Sequence, residues 1–157
     1  REFDFTPYEP LRPEMLELGR ACIHADHRTY AVLSLLWKGV ASHAQAHGAR
    51  YLFGCSSLTS QDAAVGVAAY ARLQQHLAAP MYRTLPRAAF ACSPEYRATT
   101  AEAPHIPKLL SAYLALGAWI CGPPALDSEF KTIDFLTLLD LQSPEMALRR
   151  KRFSIGG

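Results

Sequence analysis

Apolar residues along this chain alternate between the two-residue spacing of strands and the 3.6-residue spacing of helices. Residues 16–24, LELGRACIH, mix apolar and small side chains as a central strand covered on both faces would. A polar turn at 25–28 follows. From a cap at Thr29, residues Val32, Leu33, Leu36, Trp37, Val40 and Ala44 repeat at helical spacing down to His47, and Gly48 sits where a C-terminal cap belongs. Residues 49–56, ARYLFGCS, read as a second strand, parallel to the first because a helix crosses between them. Residues 59–62, TSQD, resemble a capping box that opens a helix to about Leu77.

The second half is less regular. Residues 78–107 hold Pro80, Pro86, Pro94 and Pro104 and predict a long loop excursion. Ile106, Leu109, Leu110, Tyr113 and Leu114 then mark a third helix ending near Gly117. A short strand at 118–121, a turn-rich stretch and a strong strand at 133–141, IDFLTLLDL, come next, with a short helix and basic tail over 143–157. Residues 1–13 carry Pro7, Pro10 and Pro13 among aromatics and predict a connector rather than a regular helix. The whole reads as one α/β domain over 1–157 with a mixed sheet flanked by helices.

Half of the 157 residues are hydrophobic and 19% are charged, which suits one packed domain and argues against disorder. No apolar run is long enough for a membrane span and no leader pattern opens the chain, so a cytoplasmic protein is expected. A net charge of +2 does not argue for nucleic acid, although Arg149, Arg150, Lys151 and Arg152 form a basic cluster. That cluster is either a solvated helix tail or a contact for an acidic partner or an anionic lipid surface. Cys22, Cys55, Cys92 and Cys121 show no C-x-x-C spacing and read as small buried thiols of a reducing compartment.

The strand–helix junction is the main chemical clue. The first amides of a helix and its positive dipole end suit an anion, so Arg28 with the N–H groups of Tyr30, Ala31 and Val32 is a candidate phosphate site; the plain alternative is a surface arginine. Glu17 and Arg20 inside a covered strand need partners or a cleft, and pairing with each other is as natural a reading as catalysis. His43 and His47 are spaced to pinch a metal but have no third ligand nearby, so a solvated helix face is favoured and no metal site is assigned. Ser56, Ser57 and Ser60 form no G-x-S-x-G elbow.

At ELGRACIHADHR (17–28), SLLWKGVASHAQAHGARYLFGCSSL (34–58) and PKLLSAYLALGAWICGPPALDSEFKTIDFLTLLDL (107–141), the chain resembles the ornithine lipid N-acyltransferase branch of the GNAT superfamily, sometimes called hemolysin-like. These stretches span 72 of the 157 residues. The first strand is also similar to the E-x-x-R segment of acyl-homoserine lactone synthases, with Glu17 and Arg20 at those positions. The resemblance implies N-acyl transfer from a phosphopantetheine thioester to an amine, with no permanently bound cofactor. Glu17 would take the amine's proton, Arg20 would position substrate, and Asp127 or Asp134 of the closing hairpin would meet a cationic acceptor, although turn capping explains those aspartates as well. Tyr70 and Tyr113 are candidate donors to the leaving thiolate, core packing being the commoner role. Arg28–Leu33 lacks the glycines of the usual GNAT pyrophosphate turn, and a Cβ at each position impedes close approach. Acyl carrier protein, with a single phosphate, is therefore the expected partner over coenzyme A. The part of the family fold that precedes Arg1 is expected to lie outside this sequence. A non-catalytic module that binds acyl chains or a partner protein is the alternative.

Overall fold

The computed structural model of the protein describes residues 1–19, 22–92 and 104–146. In chain order these form β1 (Met15–Glu17), α1 (Tyr30–Ala46), β2 (Tyr51–Leu58), α2 (Ala63–Arg72), α3 (Lys108–Ala115), β3 (Trp119–Ile120), β4 (Ala125–Asp127) and β5 (Thr132–Asp140). The sheet runs β1-β2-β5-β3, and β4 also pairs with β5. β1 is parallel to β2, while every pairing of β5 is antiparallel. The fold is therefore a mixed α/β sheet, as the residue pattern predicted.

β5 is buried along almost its whole length because both of its faces are covered, which is why its sequence is nearly continuous in apolar residues. On one face Leu52, Leu58, Ile133, Phe135 and Leu139 pack beneath α1, α2 and α3. The other face presents Tyr51, Leu136 and Leu138 and is covered by Phe3 and Tyr8 from the start of the chain. Residues 1–13 are thus no connector. Thr6–Glu14 wind into a 3₁₀ helix that accommodates Pro10 and Pro13, and Phe3 and Tyr8 are 2% and 1% exposed. Burial of two aromatic side chains outweighs the proline-rich composition that suggested an unpacked segment. The stretch is also sewn to the excursion after α2: Asp4 N–H donates to Leu85 O, Arg87 N–H to Glu2 O, and the Thr84 hydroxyl to Asp4 O.

Local signals set the helix ends. The Thr29 side chain accepts from Val32 N–H, and Gly48 supplies the positive φ of 65° that ends the turn after α1. α2 is capped by Asp62, whose Oδ1 accepts from Ala64 N–H at 2.9 Å, instead of by Thr59, and it stops at Arg72 rather than at Leu77. The turn-rich stretch before β5 contains a strand, β4, and its hairpin is closed by Asp127, which accepts from the N–H of Glu129 and Phe130. Arg50 grips Asp140 with two side-chain bonds of 3.1 and 2.8 Å, tying the start of β2 to the end of β5. Burial pushes Asp140 up, but the Arg50 guanidinium and the Gln142 N–H outweigh it and hold the carboxyl below its usual range. A helical turn begins at 144–146, with the Ser143 hydroxyl accepting from Met146 N–H; the expected remainder of that helix and its basic cluster fall outside the described residues.

Candidate active site

The first strand is much shorter than its apolar sequence predicts. β1 pairs only with β2 among the described residues, and the ladder ends where Leu18 N–H donates to Phe53 O at 2.7 Å. Beyond that point the chain turns away through a short 3₁₀ turn at Ala25–His27 to reach α1. Glu17 is consequently exposed at a strand end instead of enclosed in a central strand. Gly54 governs the parting: a Cβ there would overlap the Leu18 carbonyl oxygen, so only glycine lets the departing strand pass this close.

Two cavities lie near the point where the strands part. The larger, about 290 Å³, lies on the helical face and is walled by Leu18, Trp37, Leu52, Leu110, Tyr113 and Leu139, with Gly19 and Cys55 at its border. Trp37 of α1 meets Tyr113 of α3 edge to face, ring centroids 5.3 Å apart, and the pair roofs the space. This is an apolar groove of the kind that holds an alkyl chain. Its wall carries one backbone feature of chemical interest. Phe53 turns its carbonyl toward β1, and strand alternation turns the Cys55 amide the same way; no described residue of β1 reaches Cys55, so its N–H faces the gap.

The smaller cavity, about 190 Å³, lies on the opposite face and is lined by Phe5, Tyr8, Arg12, Met15, Glu17 and Phe53. The two meet at the parted strands. An ideal Cβ on Gly19, a border residue of the groove, would sit 3.8 Å from Glu17 Oε1. The carboxylate of Glu17 therefore stands beside the mouth of the apolar groove while its own strand face looks into the second cavity.

The other candidates fare differently. Arg20 lies outside the described residues. Arg28 is exposed at the entrance to α1, and its Nε donates to Ile23 O at 3.1 Å. Of the three first-turn amides, that of Val32 is engaged by Thr29 Oγ1, leaving those of Tyr30 and Ala31 for an anion. Asp127 is committed to its hairpin turn. Asp134 pairs in register with Ser57, four residues along and two strands across from Glu17, which is about 16 Å by sheet geometry. A small amino acid does not span that distance, so the structure separates Asp127 and Asp134 from Glu17. Asp134 is nonetheless unusual. It is 6% exposed, its Oδ1 has no hydrogen-bond partner among the described residues, and burial raises its carboxyl above the usual range against hydrogen bonds from Ser57 and Thr132.

Of the two tyrosines, Tyr113 lines the groove and burial raises its phenol, whereas Tyr70 stacks on Phe135 in the core. The cysteines are not uniformly buried: Cys121 is, but Cys22 and Cys55 are exposed. His43 and His47 are exposed with ring centroids 4.0 Å apart. Sequence reasoning missed Arg12, Gly54 and the Cys55 amide. Gly54 inside a strand was the one available signal, since glycine there marks close backbone approach.

This sheet and cleft belong to the mixed α/β class, and residues 1–38, which carry Arg12, Glu17 and Arg28, match the acetyltransferase (GNAT) domain family. Within that class the chain is similar to proteins named L-ornithine N(alpha)-acyltransferase. It is 34% identical over 147 residues to the protein of that name from Rhodobacter capsulatus, covering 90% of this chain and 56% of the relative. The Rhizobium meliloti protein is 28% identical over 80% of this chain and 45% of its own length, and the Brucella abortus protein 28% over 90% and 53%. The resemblance seen in the sequence is borne out. The chain spans about half the length of the curated relatives it matches. No solved structure matches it significantly. Among the described residues, no helix is long and apolar enough to cross a membrane.

Proposed function

We propose that this chain carries the acyl-donor side of an N-acyltransferase, one that moves a fatty acyl group from an acyl carrier protein or coenzyme A thioester to the amino group of an amino acid or related amine. The observation that carries the reading is the meeting of an apolar groove and a carboxylate at one break in the sheet, with Glu17 beside Gly19 at the groove's mouth.

In this reading the acyl chain lies under Trp37 and Tyr113, and the thioester carbonyl rests at the gap beyond Leu18. Arg28 and the free amides of Tyr30 and Ala31 meet the pantetheine phosphate. Glu17 removes the ammonium proton, directly or through a water, and the amine nitrogen forms its bond to the carbonyl carbon. The Cys55 N–H steadies the oxyanion. Collapse breaks the carbon–sulfur bond, the nitrogen gives up its second proton to solvent as the amide forms, and the departing thiolate takes a proton, for which Tyr113, a groove-lining residue, is the donor favoured over Tyr70. Arg20, three residues beyond Glu17, is assigned to substrate positioning. A single-phosphate carrier arm suits the glycine-free turn better than a pyrophosphate does, and the basic residues 149–152 suit an acidic carrier protein or an anionic membrane surface.

The test is release of free thiol when the protein receives acyl carrier thioester, or acyl-coenzyme A, together with amine. Amine-dependent release that falls by two to four orders of magnitude in Glu17→Gln supports the reading, the size being typical of a lost general base. Acyl binding without any thiol release would make the chain a binding module instead.

A further inference from the structure

The smaller cavity combines apolar walls with two opposite charges. Of its six lining residues, four are aromatic or Met, and the remaining two are one acid, Glu17, and one base, Arg12. They come from different elements, Arg12 from the 3₁₀ helix Thr6–Glu14 and Glu17 from β1, and the fold brings both to one space of about 190 Å³. Arg12 also pairs with Glu9. Its Nε donates to Glu9 Oε2 at 2.8 Å and one terminal nitrogen donates to Glu9 Oε1 at 2.5 Å, a solvent-exposed bidentate pair. Those bonds use two of its five N–H donors, and the other three have no partner among the described residues. A guanidinium fork with spare donors is suited to reading a carboxylate.

We propose that this cavity is the acceptor subsite and that Arg12 is a positioning residue in it, clamping the carboxylate of an α-amino acid so that the neighbouring α-amine faces Glu17. The assignment rests on the transferase reading above and narrows it. An α-amine lies two bonds from its carboxylate, so a clamp within the same small cavity as the base favours that nitrogen over one at the end of a side chain. An amine lacking the carboxylate gains nothing from Arg12.

Binding separates this inference from the transferase reading, since it needs no donor. Titration calorimetry on the full chain compares a basic α-amino acid with the diamine formed by its decarboxylation, for wild type, Arg12→Gln and Arg12→Lys. Arg12 is exposed, so these variants should fold normally, with circular dichroism as the check. The expected result is about a tenfold weaker affinity for the amino acid in Arg12→Gln, a modest value for a partly solvated charge-assisted bond, with partial recovery in Arg12→Lys and no change for the diamine. Where transfer is measurable, the same variant raises KM for the amino acid more than it lowers kcat, and its product shifts toward side-chain acylation. Equal loss for both ligands, or no loss for either, overturns the clamp. If neither ligand binds to wild type, the acceptor subsite itself is refuted. If binding depends on Arg12 but no thiol is ever released, the clamp stands and the transferase reading falls.

Discussion

Gly54 lies directly under the carbonyl of Leu18, at the point where the only parallel pair of strands among the described residues comes apart. Both residues line the larger cavity. A methyl group at 54 meets backbone, which cannot swing aside as a flexible side chain would. Gly54→Ala is expected to cost about 1–3 kcal/mol, the usual penalty for forced overpacking, and to weaken acyl binding beyond what the lost stability explains. Chemical denaturation alongside fatty-acid titration checks both; a variant that binds acyl chains normally would remove Gly54 from the groove's architecture.

Glu17 stands at an exposed strand end, so its removal should leave the fold almost untouched. Glu17→Gln is expected to shift stability by no more than about 0.5 kcal/mol while abolishing most thiol release and sparing donor affinity. A large stability loss would show that the side chain serves packing rather than proton transfer.

Ala118 bears on the length of the acyl chain. It borders the groove with Leu52, Leu110 and Leu139, each at most 5% exposed, and is the smallest side chain of that buried apolar wall. Ala118→Leu adds three carbons. The chain length at which affinity stops rising, at about fourfold per methylene, is expected to fall by about three carbons, with short chains bound as before. Titration of fatty acids of increasing length, followed by Trp37 fluorescence, measures the break point.

Much of this framework was legible in the sequence, and the exceptions have physical causes. α1 was readable at both ends because Thr29 and Gly48 act on their own backbone, and β5 because double burial writes itself as an apolar run. β1 is shorter than its apolar content suggests because such content reports burial, whereas a strand needs a partner, and among the described residues β2 is within bonding distance only as far as Leu18. Arg12 was invisible for a different reason. It sits among prolines that suggest a connector, and its relation to Glu17 exists only once Tyr8 and Phe3 have docked on the sheet. Asp134 stands out in the sequence as a hairpin acid, but its burial follows from cross-strand neighbours that the local sequence does not reveal.

Asp134 should be a stability liability. Its carboxyl is raised in the fold, so ionisation is disfavoured there relative to the unfolded chain; stability is therefore lowest above the raised value and recovers as pH falls toward the ordinary carboxylate range. Asp134→Asn removes the charge while keeping the shape and is expected to gain stability at neutral pH and to flatten this dependence. Melting temperatures across pH decide it; a neutral-pH loss in the variant would mean the carboxylate is compensated.

Asp140 has the opposite sign. Its carboxyl is lowered, so its contribution is complete above the ordinary aspartate value of about 4 and is lost as pH falls through the depressed one. Asp140→Asn is expected to cost about 1–2 kcal/mol, a charge-assisted pair discounted for the part-exposed Arg50. The difference from wild type should close in strong acid, as acid-titrated unfolding curves would show.

The seam between residues 2–4 and 84–87 sets a practical boundary for anyone trimming this protein. A version begun at Met15, where the first strand starts, would strip Phe3 and Tyr8 from the underside of the sheet and leave Thr84, Leu85 and Arg87 without the strip they fasten to. Such a product would retain every α-helix and strand described above and still expose greasy surface to water, making insolubility on expression the first symptom of the cut.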